Sequence, residues 1–252
     1  MTADEDQWDS HWDDFDKANE RNPAQEYRRR LSLWLLARYG VPERLLDIGC
    51  GNGELLATAA ARWPAAALMG LELSETAVAK ARRKVPAAQV QARDLLTDPV
   101  PTDGDAQWAT HAVCSEVLEH VDDPFALLRN ARAWLAPGCR VVVTVPGGPM
   151  SAFDRHIGHR RHFSPEDLRE VMQAAGLEVT LVQGAGFPFF NFYRVLVIAR
   201  GESLIADARP DAEDSRAGKL VRAGMAAFRP MFLFNLPRSP FGWQTVGVGR
   251  EP

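Results

Sequence analysis

Leu45-Leu46-Asp47-Ile48-Gly49-Cys50-Gly51-Asn52-Gly53-Glu54-Leu55 reads as a buried strand that runs into a glycine-rich turn and then into a helix. Glycines at such a turn allow positive φ and let the backbone approach a ligand, while the free N–H groups of the helix start face the same crevice. A dinucleotide fingerprint needs G-x-G-x-x-G, and here Glu54 stands where its third glycine belongs. A nicotinamide dinucleotide is therefore disfavoured. Taken alone, the segment also admits a tight turn that serves only the fold, as the less favoured reading.

Outward from this stretch, short apolar runs alternate with helical periodicity. Strands are expected at 44–48, 67–72, 88–93, 108–114 and 140–145, with helices at about 53–63, 75–84 and 123–136 between most of them. That alternation implies right-handed crossovers and a parallel sheet covered on both faces. Upstream, Asn22 as N-cap, Pro23 at the first helical position, an apolar stripe including Leu31, Trp34 and Leu35, and Gly40 as stop mark a further helix. The first twenty residues carry eight carboxylates with Trp8 and Trp12, a solvated arm with two apolar anchors.

Downstream, Ser164-Pro165-Glu166-Asp167 opens a helix that Gly176 closes, and a strand is expected at 177–183. The last strand, Gln244 to Arg250, follows only after about sixty residues, far longer than a plain connection. That insert holds two apolar pieces, Phe187 to Ala199 and Ala226 to Leu236, around a polar stretch from Gly201 to Lys219 that is expected to be mobile. The chain thus divides into an N-terminal helical arm (1–43), a core (44–183), a cap insert (184–240) and a final core strand (241–252).

Two carboxylates strengthen the ligand reading of the glycine turn. Glu72 ends the second strand and Asp94 the third. Strand C-termini of an open parallel sheet converge on one crevice, where an acid after strand two can accept both ribose hydroxyls and one after strand three an adenine amino group. The ligand implied is a nucleoside.

With these residues in order, the chain resembles the class I S-adenosylmethionine-dependent methyltransferases. Asp47-x-Gly49-x-Gly51-x-Gly53 matches their first motif, Leu71-Glu72-Leu73-Ser74 the second and Arg93-Asp94-Leu95 the third. Leu135-Ala136-Pro137-Gly138-Cys139 matches their LKPGG turn, departing at Ala136 and Cys139. The resemblance covers residues 40–183 and 241–250. It implies an α/β, Rossmann-like fold: a mostly parallel seven-stranded sheet with helices on both faces, carrying the N-terminal arm and the C-terminal cap. It also implies S-adenosyl-L-methionine as cofactor, with Gly49 and Gly51 along its methionine part, Glu72 on the ribose, and Asp94 with Leu95 on the adenine. Asp47, Cys50, Gly53, Leu73 and Ser115 complete the expected cofactor-binding set, and the cap would cover the acceptor.

After the fourth strand comes Cys114-Ser115-Glu116-Val117-Leu118-Glu119-His120-Val121. On a helical turn Glu116, Glu119 and His120 would stand at i, i+3 and i+4 and share one face. Methyl transfer from a sulfonium is an in-line displacement, so the protein chiefly aligns the reactants and removes the acceptor's proton. His120 suits that second task. Half of the six histidines fall in Asp154-Arg155-His156-Ile157-Gly158-His159-Arg160-Arg161-His162-Phe163, at the same end of the sheet. The Glu-x-x-Glu-His turn with a downstream histidine resembles the divalent-metal site of small-RNA 3′-terminal 2′-O-methyltransferases, and also the ubiquinone-pathway O-methyltransferases. By that likeness Glu116, Glu119 and His120, with His159 or His162, would hold a metal that lowers the acceptor hydroxyl's pKa. Metal-free work by His120, Glu116, Glu119 and His159 is the preferred reading, because three ligands on one helical turn arise readily by chance. A merely hydrogen-bonded structural turn is the third. Arg155, Arg160 and Arg161 suit either an acidic group on the acceptor or local ion pairs. Phe187, Phe189, Phe190, Phe192 and Tyr193 suit cap packing or an apolar acceptor pocket.

Composition narrows the partners. At 252 residues, 46% hydrophobic and 25% charged, the chain is that of a soluble globular protein, and a net charge of -4 with no dominant basic patch argues against DNA and disfavours an RNA end as acceptor. Cys50, Cys114 and Cys139 fall in no CxxC pair and suit reduced thiols; an acidic start and no long apolar run suit a cytoplasmic protein without signal peptide or membrane span. The expected function is methyl transfer to oxygen or nitrogen of a small, partly apolar molecule. Its alternatives are 2′-O-methylation of an RNA end, or a protein that binds the cofactor without catalysis. The apolar pieces of the cap also suit contact with a membrane surface. The sequence leaves the oligomeric state open.

Overall fold

A computed structural model describes residues 22–201 and 228–252. The acidic arm with Trp8 and Trp12, and nearly all of the polar stretch after Gly201, lie outside the described residues.

All seven expected strands are present: β1 (Arg44–Ile48), β2 (Ala67–Glu72), β3 (Gln89–Ala92), β4 (Ala109–Ser115), β5 (Leu135–Pro146), β6 (Glu178–Ala185) and β7 (Gln244–Arg250). They form one sheet in the order β3-β2-β1-β4-β5-β7-β6. β1 runs parallel to both β2 and β4, and only β7 is antiparallel to its neighbours. Between the helices α2 (Glu54–Arg62), α3 (Glu75–Lys84), α4 (Pro124–Ala131) and α6 (Pro165–Ala174), the strands are covered on both faces. Alternate residues of β5 therefore enter opposite layers: Val142 packs in one core, Val141, Val143 and Val145 in the other. The order reverses between β1 and β4, the place where open sheets of this kind hold ligands beyond the strand C-termini.

The helix α1 (Pro23–Leu36) starts as its punctuation predicts, with Asn22 Oδ1 accepting from the Ala24 amide at 2.9 Å. Its buried face differs from the expected stripe. Leu31, Leu33, Leu35 and Leu36 are buried, whereas Trp34 is 40% exposed beneath the Arg38 guanidinium. The helix is part of the main core, where Leu33 and Leu36 sit with Leu45 of β1 and Val142 of β5.

Two other boundaries differ. The helix expected to reach residue 136 stops at Ala131 and tightens over Arg132–Trp134, because Leu135 pairs with Ala109 and so begins β5 early. An unforeseen short helix, α5 (Ala152–His156), is opened by a capping box between Ser151 and Asp154. In the cap, α7 (Phe189–Arg200) runs through Arg194, which lies inside with the guanidinium forked onto Asp154 at 2.9 and 2.7 Å. Ser151 donates its amide and hydroxyl to Asp154 Oδ2, each at 2.7 Å. Burial alone would raise the Asp154 carboxyl, but Arg194 and Ser151 override it and hold the group well below the usual carboxylate range.

This pair ties the cap to the histidine-bearing segment. Arg194→Met leaves the Asp154 carboxylate buried without its cation, and urea unfolding should register a loss of about 3–5 kcal/mol. Adding Asp154→Asn should return part of that loss. If the single variant unfolds like the parent, the pair is not what holds α7 in place.

Candidate active site

The glycine turn follows β1 as predicted. Gly49, Gly51 and Gly53 take φ of 71°, 51° and 82°, which only glycine adopts without strain. Close approach is a second reason at Gly49, where a Cβ would run into Val117, the residue before the turn Leu118–His120. At Gly53 a Cβ would stand 3.0 Å from that of Ala81 in α3. Cys50 is buried against Gly70 of β2, and burial pushes its thiol well up; Cys114 and Cys139 are likewise buried and free.

Glu72 closes the turn from the neighbouring strand. Its Oε2 accepts from the Gly51 amide at 2.9 Å and its Oε1 from the Ser74 amide at 3.0 Å. Asp47 is buried at the end of β1, and its Oδ2 has no hydrogen-bond partner among the described residues. Burial, with Glu72 nearby, pushes its carboxyl up to about 8. The Asp94 carboxylate closes its own turn, accepting from the Leu96 amide at 2.8 Å and the Thr97 hydroxyl at 2.6 Å. Leu95 beside it is buried in the core, and Leu73 is exposed beyond Glu72. Ser115 shares a 2.8 Å hydrogen bond with Thr144 of β5.

The turn after β4 departs from the expected geometry. Glu116 has a φ of 58°, so the chain is not yet helical there, and the helical turn spans only Leu118–His120. Glu116 consequently does not share a face with Glu119 and His120. It turns to Arg28 of α1, whose Nε lies 3.0 Å from Oε2, while Gln244 Nε2 donates to Oε1 at 2.8 Å. Neither Arg28 nor Gln244 carries a local sequence signal, because each reaches the site only through the fold.

Glu119 and His120 do come together, and the histidine segment joins them. One ligand atom from each of Glu119, His120 and His159 falls within 4.8 Å of the others, and the same holds for Asp154, His159 and His162. Glu119 is fully buried, with neither oxygen hydrogen-bonded among the described residues and Oε1 3.9 Å from His120 Nε2. Burial, reinforced by Glu116, pushes its carboxyl well up. Burial also lowers His159, with His120 adding to the effect, and lowers His162. Both imidazoles are therefore neutral near pH 7. His162 Nδ1 lies 3.0 Å from the Gly148 carbonyl and its Nε2 3.2 Å from His159 Nδ1. The carbonyl can only accept, so the hydrogen-bond order assigns the His162 proton to Nδ1 and has His159 donate from its own Nδ1. The lone pair of His159 is left on Nε2, with the ring edge-on to His120 at 4.7 Å.

The arginines of this segment are engaged locally. Arg160 pairs with the Asp122 carboxylate, Arg161 donates to the Asp122 carbonyl at 3.0 Å, and Arg155 donates to the Ser151 carbonyl at 3.3 Å. Among the cap aromatics, Phe190 is fully buried and packs against Tyr27 and Phe232, whereas Phe192 faces outward.

The family described as a methyltransferase domain matches residues 18–182. The chain is 26% identical over 200 residues to a ubiquinone biosynthesis O-methyltransferase of Pseudomonas aeruginosa, a span of 72% of this chain and 85% of that protein. It is 34% identical over 133 residues to a trans-aconitate 2-methyltransferase of Variovorax paradoxus, 50% of this chain and 49% of the relative. Across the curated relatives at the head of this group, the chain spans from 38% to 85% of their length. Among solved structures, the [4+2]-cyclase SpnF superposes with a TM-score of 0.60 at 22% identity, over 89% of this chain and 81% of that one. The glycine turn, the acids after β2 and β3 and the family match lead to one conclusion: the chain belongs to the class I S-adenosylmethionine-dependent methyltransferases.

Proposed function

We propose that the chain transfers the methyl group of S-adenosyl-L-methionine to an oxygen or nitrogen of a small, partly apolar acceptor, with His120 removing the acceptor's proton. The observation that carries this reading is the packing of Val117 onto Gly49. It sets the Glu119–His120 turn directly beside the glycine loop at the reversal of the strand order. The relatives named for ubiquinone biosynthesis and for trans-aconitate support a small acceptor. Because the same fold carries a [4+2]-cyclase, transfer is inferred from the loop and the turn and not from the fold.

The residues fit the cofactor. Asp47 offers a buried carboxylate oxygen with no partner among the described residues, suited to a cationic amino group. Glu72 holds the amides of Gly51 and Ser74, which fixes its carboxylate at the end of β2, where it would accept from the ribose hydroxyls. Gly49, Cys50, Gly51 and Gly53 would supply backbone along the methionine part, and Leu73, Asp94, Leu95 and Ser115 would border the remainder. When bound, the cofactor supplies an electrophilic methyl group on a sulfonium. The chain's own part is alignment of the acceptor, exclusion of water and custody of the proton at His120. Glu119 stands behind His120, and His159, its tautomer set by His162, flanks it.

Glu119 favours a second reading. A fully buried carboxylate without a hydrogen bond among the described residues, beside two imidazoles, is also the donor set of a divalent cation. Glu119, His120 and His159 would then hold the ion, Glu116 being committed to Arg28 and Gln244, and the ion would lower the pKa of an acceptor hydroxyl.

Two measurements test these readings. Glu72→Ala should weaken S-adenosyl-L-methionine binding by about 2–4 kcal/mol in titration calorimetry, since charge-assisted hydrogen bonds contribute without being additive. An unchanged affinity in a folded variant removes the ribose assignment. Transfer of labelled methyl to a panel of phenols, amines, sugars and quinone precursors should persist in chelator and fall by about 10²–10⁴ in His120→Ala. Activity abolished by chelator and restored by added metal, with cofactor affinity intact, selects the metal reading instead.

A further inference from the structure

The cap presents an apolar surface that the methyl-transfer site does not use. On α7, Phe190, Arg194 and Val197 face inward. The opposite face carries Phe192, Val195, Leu196 and Ala199, spaced i, i+3, i+4 and i+7, and all four are exposed. A surface helix of a globular protein is normally polar on that side. The turn Arg229–Phe234 packs beside it and adds Leu233 at 65% and Phe234 at 71% exposure, with Phe241 at 68% nearby. The apolar side chains of α7 and of the segment after it meet in pairs: Phe192 packs on Phe228 with ring centroids 5.6 Å apart, Phe187 on Phe241 at 5.8 Å, and Phe187 pairs with Leu236 through the backbone. Single exposed apolar residues are ordinary, whereas a contiguous group of large ones marks a contact surface.

Charge identifies the occupant. Segments 187–201 and 228–243 contain four arginines and no carboxylate, in a chain with 33 acidic and 29 basic residues. Arg194 pairs inside with Asp154, Arg229 pairs with Glu26 of α1 at the start of the Arg229–Phe234 turn, and Arg238 is exposed between that turn and Phe241. Exposed aromatic and aliphatic side chains in segments whose only charged residues are arginines are the composition of a surface that lies in the headgroup region of an anionic bilayer. A symmetric contact with a second copy would bring the same arginines face to face without opposing acids in these segments.

The topology adds a direction. β6 runs parallel to β1 and β4, so the cap leaves the sheet at the end where the glycine loop and the Glu119–His120 turn lie. We infer that the outer face of α7 and the Arg229–Phe234 turn dock this protein onto an anionic lipid surface, with the active-site end of the sheet turned toward the bilayer. An acceptor that partitions into lipid would reach the site from that side.

Vesicle flotation of the full chain tests this. The protein should float with phosphatidylcholine vesicles containing phosphatidylglycerol, far less with phosphatidylcholine alone, and less as salt rises. Phe192→Asp combined with Phe234→Asp should lower the bound fraction about tenfold or more, while melting temperature and S-adenosyl-L-methionine affinity stay those of the parent. Absence of binding to the anionic vesicles, equal binding to both compositions, or unimpaired binding by the double variant overturns the proposal. Sedimentation velocity is run in parallel. A dimer that the double variant dissociates, with no vesicle binding by the parent, assigns the patch to self-association and likewise overturns it.

Discussion

The contact between Gly49 and Val117 is the constraint on which the rest of the site depends. The two residues sit just beyond the ends of adjacent strands, β1 and β4, where the strand order reverses. Any side chain at residue 49 would occupy the space of Val117, so the glycine loop and the Glu119–His120 turn approach one another only because position 49 carries no Cβ. From that contact outward, the positive φ of Gly51 aims its amide at Glu72, and Glu72 joins the loop to the start of α3. The glycine loop and the Glu119–His120 turn are thus parts of one packed unit.

Around this unit the periphery is anchored by buried charge. Arg28 reaches from α1 to Glu116, and Arg194 reaches from the cap to Asp154. Each pair costs desolvation, and removing one partner strands the other in a low-dielectric interior. Their geometric effects differ. The Arg28 contact, with Gln244 and Thr144, holds Glu116 in its left-handed conformation and draws it away from Glu119. The Arg194 contact fixes the short helix from which His159 and His162 follow.

Much of the fold was legible because its signals are local. The alternation of apolar runs with helical periodicity located seven strands, and Asn22, Ser164 and Gly40 marked helix ends that the caps confirm in atomic detail. The glycine turn and Glu72 were legible for the same reason, since each stands at a strand end. What escaped was set by distant partners. Leu135 leaves the helix because Ala109 offers a strand edge, and Glu116 leaves the expected helical face because Arg28 and Gln244 are brought to it from far along the chain. The capping box at Ser151 and Asp154 does carry a local signal, Ser-x-x-Asp, but the helix it opens is a single short turn, Ala152–His156, too brief for an apolar period. Trp34 shows the limit of a periodic stripe: the core lies on two sides of α1, so Leu33 and Leu36 were buried in its place.

The central claim is that the crevice at the reversal of the strand order is the cofactor site and is shaped by the Gly49–Val117 approach. The most direct test is titration calorimetry of S-adenosyl-L-methionine into the parent and into Gly49→Ala. Crowding of a packed contact and a left-handed φ each cost about 1–3 kcal/mol, so the melting transition of the variant is recorded first to establish that it is folded. The account predicts a folded variant whose cofactor affinity falls at least about tenfold, the equivalent of about 1.4 kcal/mol. A folded Gly49→Ala protein that binds S-adenosyl-L-methionine as tightly as the parent would contradict it.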